Sequence, residues 1–137
     1  MNLINLEIIT PEKIIFEKQV ESLIIPSYGG KLGILPGHTE MVVQIIPGEL
    51  SFTIQGNKDY FALGGGYGEI TQKRVRLFVE EANLVDEIDI ERVNQQTQQA
   101  KAKIKSIANQ DDLIKAEAAL KVAISKLKIA KHRKQKR

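Results

Sequence analysis

The chain has 137 residues, 42% of them hydrophobic, with no cysteine and a formal net charge of +3. That length suits one domain, or one small domain with an appendage. The composition excludes disulfides and thiolate metal sites, and apolar runs such as Leu23–Ile25 and Met41–Val43 are far shorter than a bilayer span.

Asn2-Leu3-Ile4-Asn5 brings neither a basic flank nor an apolar segment, so no secretory signal is expected. The net charge conceals an asymmetry. Met1–Glu87 holds seven Lys/Arg against twelve Asp/Glu, a balance of −5, whereas Ile88–Arg137 holds thirteen against five, a balance of +8. All seven aromatic residues, Phe16 to Phe78, lie in the first segment. Two regions so unlike in composition point to two physical roles.

The first region reads as short strands. Leu3–Thr10, Lys13–Phe16, Val20–Ile25 and Lys31–Leu35 come first. In Gly48–Gln55, Leu50, Phe52 and Ile54 face one way and Ser51, Thr53 and Gln55 the other, the period of two that a half-buried strand requires. Asp59–Leu63 and Tyr67–Thr71 follow, then Arg74–Val79, where Val75, Leu77 and Val79 oppose Arg74 and Arg76. Turn chemistry separates them: Pro36-Gly37, Pro47-Gly48, and a Gly-Asn hairpin signal in Gln55-Gly56-Asn57-Lys58. Many short strands joined by tight turns predict a β-sandwich or flattened barrel.

From about Asp89 the period changes. Val93, Thr97, Ala100, Ile104 and Ile107 form one helical stripe. After Asn109-Gln110, a second follows through Leu113, Ala116, Leu120, Ala123, Leu127 and Ala130, with Asp111 or Asp112 as its cap. The short connection predicts antiparallel helices, each roughly 25–35 Å long at 1.5 Å per residue. The fold class expected is therefore α+β in two domains. A β-sandwich or flattened barrel over 1–87 precedes an antiparallel helical hairpin over 88–137. The hairpin seam is half alanine, and burial yields only about 0.8 kcal/mol per CH₂. Ordering each residue costs about 1–2 kcal/mol. Such a hairpin either stays closed on outside support or opens onto a partner, and periodicity does not choose between the two.

No arrangement of chemistry-bearing residues stands out. Gly64-Gly65-Gly66-Tyr67-Gly68 lacks the Lys-Ser/Thr of a phosphate loop and reads as a tight turn or bulge. His38, in a turn, and His132, in the basic tail, belong to no metal spacing or nucleophile–base pair. A small β-sandwich enzyme would need a deep polar cavity instead. Leu113–Arg137 carries nine basic residues against one acid, Glu117, an excess that points to an anionic partner. Nucleic acid is one such partner, and a nucleic-acid or anionic-surface module is the alternative reading. Ile88–Arg137 has no aromatic residue on which bases could stack, so no specific nucleic-acid recognition is expected.

The run Gly30-Lys31-Leu32-Gly33-Ile34-Leu35-Pro36-Gly37-His38 resembles a signature of the epsilon subunits of bacterial F-type ATP synthases. Ile9-Thr10-Pro11, Gly64-Gly65-Gly66, Ile88-Asp89-Ile90-Glu91-Arg92 and Ala118-Ala119-Leu120-Lys121 fall in the same order, so the resemblance spans essentially the whole chain. It implies a non-catalytic rotor subunit at the foot of the central stalk, on the cytoplasmic face of the bacterial inner membrane. The implied partners are the gamma subunit, the c-ring and, through a mobile basic hairpin that restrains ATP hydrolysis, the catalytic β subunits. Tyr28, Gly29, Gly30, Lys31 and Gly33 would face the c-ring, and His38 and Thr39 the gamma subunit. Lys121, Lys126, Lys128, Lys131, Arg133 and Lys134 would make the inhibitory contact. No metal and no cofactor is implied. Some relatives bind ATP in the hairpin, and Ile88, Asp89, Arg92 and Lys126 stand in that motif. Here Val93 replaces its alanine, and Val122 and Lys126 replace its two arginines. Valine cannot pair with phosphate and lysine lacks the guanidinium fork, so ATP binding is expected to be weak or absent.

Overall fold

The computed structural model describes residues 2–135. Ten strands come first: β1 (Ile4–Ile9), β2 (Ile14–Val20), β3 (Ser22–Ser27), β4 (Gly30–Ile34), β5 (Met41–Ile45), β6 (Gly48–Ile54), β7 (Asn57–Leu63), β8 (Gly66–Ile70), β9 (Arg74–Val79) and β10 (Ala82–Leu84). A single 3-10 turn at Val85–Glu87 leads into α1 (Ile90–Ile104) and α2 (Gln110–Gln135). The strands form one sheet in the order β10-β7-β6-β3-β5-β8-β9-β1-β2, with β4 added on β3. β1 and β9 run parallel, from Asn5↔Arg74 to Ile9↔Phe78, and the other pairs are antiparallel.

Only Ser27↔Ile45 joins β3 to β5. The sheet folds over at that weak seam, and its two halves close on one core. Ile4, Leu6 and Ile8 of β1 and Val75, Leu77 and Val79 of β9 meet Leu23, Ile25, Leu50 and Phe52 from the other half. Phe16, Phe52 and Phe61 pack ring on ring at its open end, with centroids 4.9–5.7 Å apart. Alternation makes this possible: each strand turns every second side chain inward and leaves the intervening ones on an outer face.

The β6–β7 hairpin turns one residue earlier than its Gly-Asn signal suggests. Ile54 pairs with Asn57, so Gln55 and Gly56 are the central residues, both with positive φ (49° and 77°). That is the backbone of a type I′ turn, whose twist matches the flanking strands.

The two helices are unequal. α1 has 15 residues and α2 has 26, so α1 is about 22 Å long and α2 about 39 Å. α1 stops at Ile104 because a tight turn follows. The Ser106 amide donates to the Lys103 carbonyl, the Ile107 amide donates to that of Ile104, and the Ser106 hydroxyl closes on Lys103 O at 2.9 Å. Ile107 therefore falls in the connection rather than on the α1 stripe. Asn109, not Asp111 or Asp112, caps α2: its Oδ1 accepts from the amides of both aspartates, at 2.8 and 3.3 Å. Two carboxylates then remain in the first turn, where the positive end of the helix dipole favours them. Asp89 caps α1 in the same way through the Arg92 amide.

Candidate functional site

The outer faces of the two sheet halves differ. On the β6–β7 half, Glu49, Tyr60 and Ala62 point outward, with Glu49 opposite Ala62 and Ser51 opposite Tyr60. The end of α2 covers this face. Ala130, fully buried, meets Ala62, Val85, Ile88 and Val93 in a small second cluster, with Leu127, Ile129 and Ile90 packed around it. Thr97, 2% exposed, is tolerated in α1 because its hydroxyl donates to the Val93 carbonyl at 2.8 Å.

Charge supplements this thin apolar contact. Arg133 places two guanidinium nitrogens on the two oxygens of Glu49, at 2.7 and 2.5 Å, and lies 3.8 Å from the centre of the Tyr60 ring. The hydrogen bond to Glu49 raises the pKa of Arg133 above its ordinary value, against an opposing effect of burial. The charged guanidinium is thereby favoured in the folded chain while Glu49 is ionised, and on the alkaline side this contribution is lost as pH rises through the guanidinium range. Lys126 pairs with Glu81 at 3.1 Å, and Lys134 donates to the backbone carbonyl of Ile88. Lys121, Lys128 and Lys131 face solvent. Of the six cations assigned to an inhibitory contact, three are thus held against the sandwich or its linker and three are presented outward. Lys136 and Arg137 of the basic tail lie outside the described residues.

The other half is bare. On β5, β8, β9 and β1, Gln44, Tyr67, Phe78 and Ile9 form one cross-strand row, and Val42, Glu69, Arg76 and Glu7 occupy the positions beside it. Val42 is 70% exposed and Tyr67 49%. Tyr67 stacks on Phe78 with centroids 5.0 Å apart, and Arg76 lies over Phe78 while its Nε sits 3.0 Å from Glu7. An exposed apolar strip edged by a fixed ion pair is built like the centre and rim of a protein interface. Sequence reasoning missed it. The signal was present in Met41-Val42-Val43, where the apolar residues do not alternate.

The c-ring and gamma residues expected from the sequence lie on the β3–β4 hairpin and in the connection from β4 to β5. Tyr28, 77% exposed, stands at the tip of the β3–β4 hairpin with Gly29, Gly30 and Lys31, and Gly33 follows, exposed, on β4. The tip is tied down: the Tyr28 amide donates to the Gln44 carbonyl, and the Ser27 hydroxyl donates to that of Gly30, whose φ of 118° only glycine accommodates readily. His38 and Thr39 lie between β4 and β5, with His38 Nδ1 2.8 Å from the Thr39 carbonyl oxygen. This loop runs directly into the bare strip through Met41 and Val42. Of the four residues in the nucleotide motif, Ile88 is buried, Asp89 is occupied in capping α1, Lys126 is paired with Glu81, and Arg92 is exposed.

Among the described residues no group of three or more His, Asp or Glu is placed to hold a metal ion, and no helix is long and apolar enough to cross a membrane. A recess of about 870 Å³ beside β2 and β10, lined in part by Phe16, Phe52 and Phe61, is open to solvent.

Comparison with known proteins places the chain among others of this plan. Residues 3–85 match the family described as ATP synthase, Delta/Epsilon chain, beta-sandwich domain, and residues 86–131 match its long alpha-helix domain. The chain is 35% identical to an ATP synthase epsilon chain of Herpetosiphon aurantiacus over 97% of its own length and 98% of that protein's. It is 34% identical to that of Chloroflexus aggregans, over 98% and 96%. Among solved structures, a chain of the Euglena gracilis mitochondrial ATP synthase, in an assembly of OSCP, F1 and c-ring, superposes with a TM-score of 0.72 at 27% identity, covering 91% of this chain and 79% of that one. A chain from the central stalk and c-ring of the Tetrahymena thermophila enzyme shares the fold, at a TM-score of 0.63 and 14% identity, over 93% and 96%.

Proposed function

We propose that this chain, which belongs to the epsilon chain family of F-type ATP synthase, is a non-catalytic rotor subunit that couples the gamma subunit to the c-ring and restrains ATP hydrolysis through its basic hairpin. The observation that carries this reading is the contrast between the two outer faces. One is already occupied by the chain's own helices. The other presents Val42, Tyr67 and Phe78, and among the described residues no helix packs over them. The bare strip, continued by His38 and Thr39, is the gamma-facing surface. The hairpin tip Tyr28-Gly29-Gly30-Lys31, with Gly33, is rigid enough to seat on the c-ring, because side-chain and backbone hydrogen bonds hold it on both sides. The chain is held at the cytoplasmic face of the bacterial membrane by these partners.

The functional boundary falls at 87/88. A sandwich of residues 1–87 keeps both docking surfaces and lacks the brake. The brake is α2, whose Lys121, Lys126, Lys128, Lys131, Arg133 and Lys134 reach an acidic surface of the catalytic β subunits when the hairpin extends. The test is ATP hydrolysis by the matching α, β and gamma assembly alone, with the full chain, and with residues 1–87. The expected result is binding by both and slowing by the full chain alone. Binding without slowing by the full chain removes the brake from the reading. Failure of both to bind removes the rotor assignment, and leaves the basic helix to be tried on duplex DNA at physiological salt.

ATP binds this hairpin weakly or not at all, in keeping with the commitments of Asp89 and Lys126 to neighbours within the chain. Titration calorimetry of the full chain with ATP is expected to give no heat of micromolar binding; a saturable isotherm in that range refutes this.

A further inference from the structure

We propose that Glu49, Tyr60 and Glu81 form an internal receptor for the basic end of α2, and that this receptor competes with any acidic partner surface for the same cations. The competition rests on the braking role proposed above, whereas the receptor itself does not.

The chemistry of the contact is specific to its occupant. The carboxylate of Glu49 is met at both oxygens by Arg133, and the Tyr60 ring covers the guanidinium from the side. A guanidinium fork satisfies both demands at once, which an ammonium cannot. Arg133 is the only arginine on α2 among the described residues, and it is the one placed here. Glu81 takes Lys126, two helical turns back on the same side. Between them sits Ala130, whose methyl group closes on Ala62, Val85, Ile88 and Val93. The buried α2 residue at the centre of this contact is only an alanine, so the charged pairs on either side of it add to the docking.

Glu49 and Glu81 belong to the acidic sandwich, while Arg133 and Lys126 belong to the basic segment. The sandwich therefore offers α2 the kind of surface that an acidic partner would offer, and the two cannot be occupied together. Docking and release become a population balance set by differential affinity for the same side chains. Both ion pairs are partly exposed, so salt weakens them.

Glu49 lies outside the brake residues, so Glu49→Gln loosens the helix without blunting it. The measurement is amide hydrogen exchange of the full chain over residues 127–134, at low and high salt, for wild type, Glu49→Gln, Glu81→Gln and the exchanged pair Glu49→Arg with Arg133→Glu. Glu49→Gln is expected to speed exchange there about tenfold at low salt, since a bidentate charge-assisted pair and a cation–π contact are weakened together. The strands of the sandwich should exchange as before, and the exchanged pair should recover part of the protection. In the ATPase assembly, Glu49→Gln should slow hydrolysis more than wild type does. Unchanged exchange in both single variants overturns the receptor. Faster exchange with no added slowing, in an assembly that wild type does brake, overturns the competition. If wild type does not brake at all, the braking reading and the competition fall together, and the exchange rates alone decide the receptor.

Discussion

Replacing Gly66 with alanine is expected to destabilise the sandwich by about 3 kcal/mol or more, a large part of the roughly 5–15 kcal/mol that holds a domain of this kind together. Gly66 opens β8 and pairs with Val79 of β9. A Cβ there would be driven into the Phe78 carbonyl oxygen, with the Phe78 carbonyl carbon and Val79 Cα both at 2.9 Å. These are backbone atoms of a paired strand and cannot swing aside. Its neighbours grade the effect. At Gly68 the added carbon meets the end of the Leu77 side chain at 2.9 Å, which can shift, so Gly68→Ala should cost about 1 kcal/mol. At Gly65 the nearest atom is 3.5 Å away, an ordinary contact, so the change should be within about 0.5 kcal/mol. Urea unfolding of the three variants tests the series. A Gly66→Ala midpoint equal to that of wild type means that β8 and β9 do not approach as described.

Val42→Glu is expected to weaken binding to the gamma subunit by about thirtyfold or more while leaving unfolding unchanged, because truncating or charging the centre of an interface costs about 2 kcal/mol or more. Val42 is well exposed, so the isolated chain loses little by the exchange. The stacked rings of Tyr67 and Phe78 and the Arg76–Glu7 pair stay in place beside it. In the complex, a carboxylate would be desolvated on an apolar strip with no partner. Asn57→Glu, at the exposed β6–β7 turn on the other half, should bind as wild type does. Equal affinities for Val42→Glu and wild type would move the gamma-facing surface elsewhere.

Much of this architecture was legible in the chain, and the omissions have physical causes. β6 and β9 stood out because one face of each is core and the other is polar, as the burial of Leu50 and Phe52 and of Val75, Leu77 and Val79 shows. β5 escaped because Val42, on its outer face, is apolar as well, so the alternation that marks a strand is erased where the surface is adapted for contact. β10 has only three residues, too few for any period. The stripes of both helices were readable, Ile107 excepted, yet the α2 cap was assigned to Asp111 or Asp112 because three candidates stand within four residues and only geometry selects Asn109. The family signature, Gly30 to His38, spans β4 and the connection that follows it. The clamp on Arg133 was not readable at all: Glu49 lies 84 residues away, and no local pattern announces a partner at that distance.

The parallel pairing of β1 with β9 also governs how the chain folds. β1 is made before β9, and it gains its parallel partner only when Arg74–Phe78 has been made. Until then Ile4, Leu6 and Ile8 have half a sheet to lie against, and β1 and β2 can form no more than a lone hairpin, which is marginal in water. Contacts so far apart in sequence carry a large loop-closure entropy and slow the search for the native state. The nascent chain thus carries an open apolar edge until β9 has been made. The acidic balance of its first 87 residues helps keep such intermediates apart, because like-charged chains repel before they can pair edge to edge.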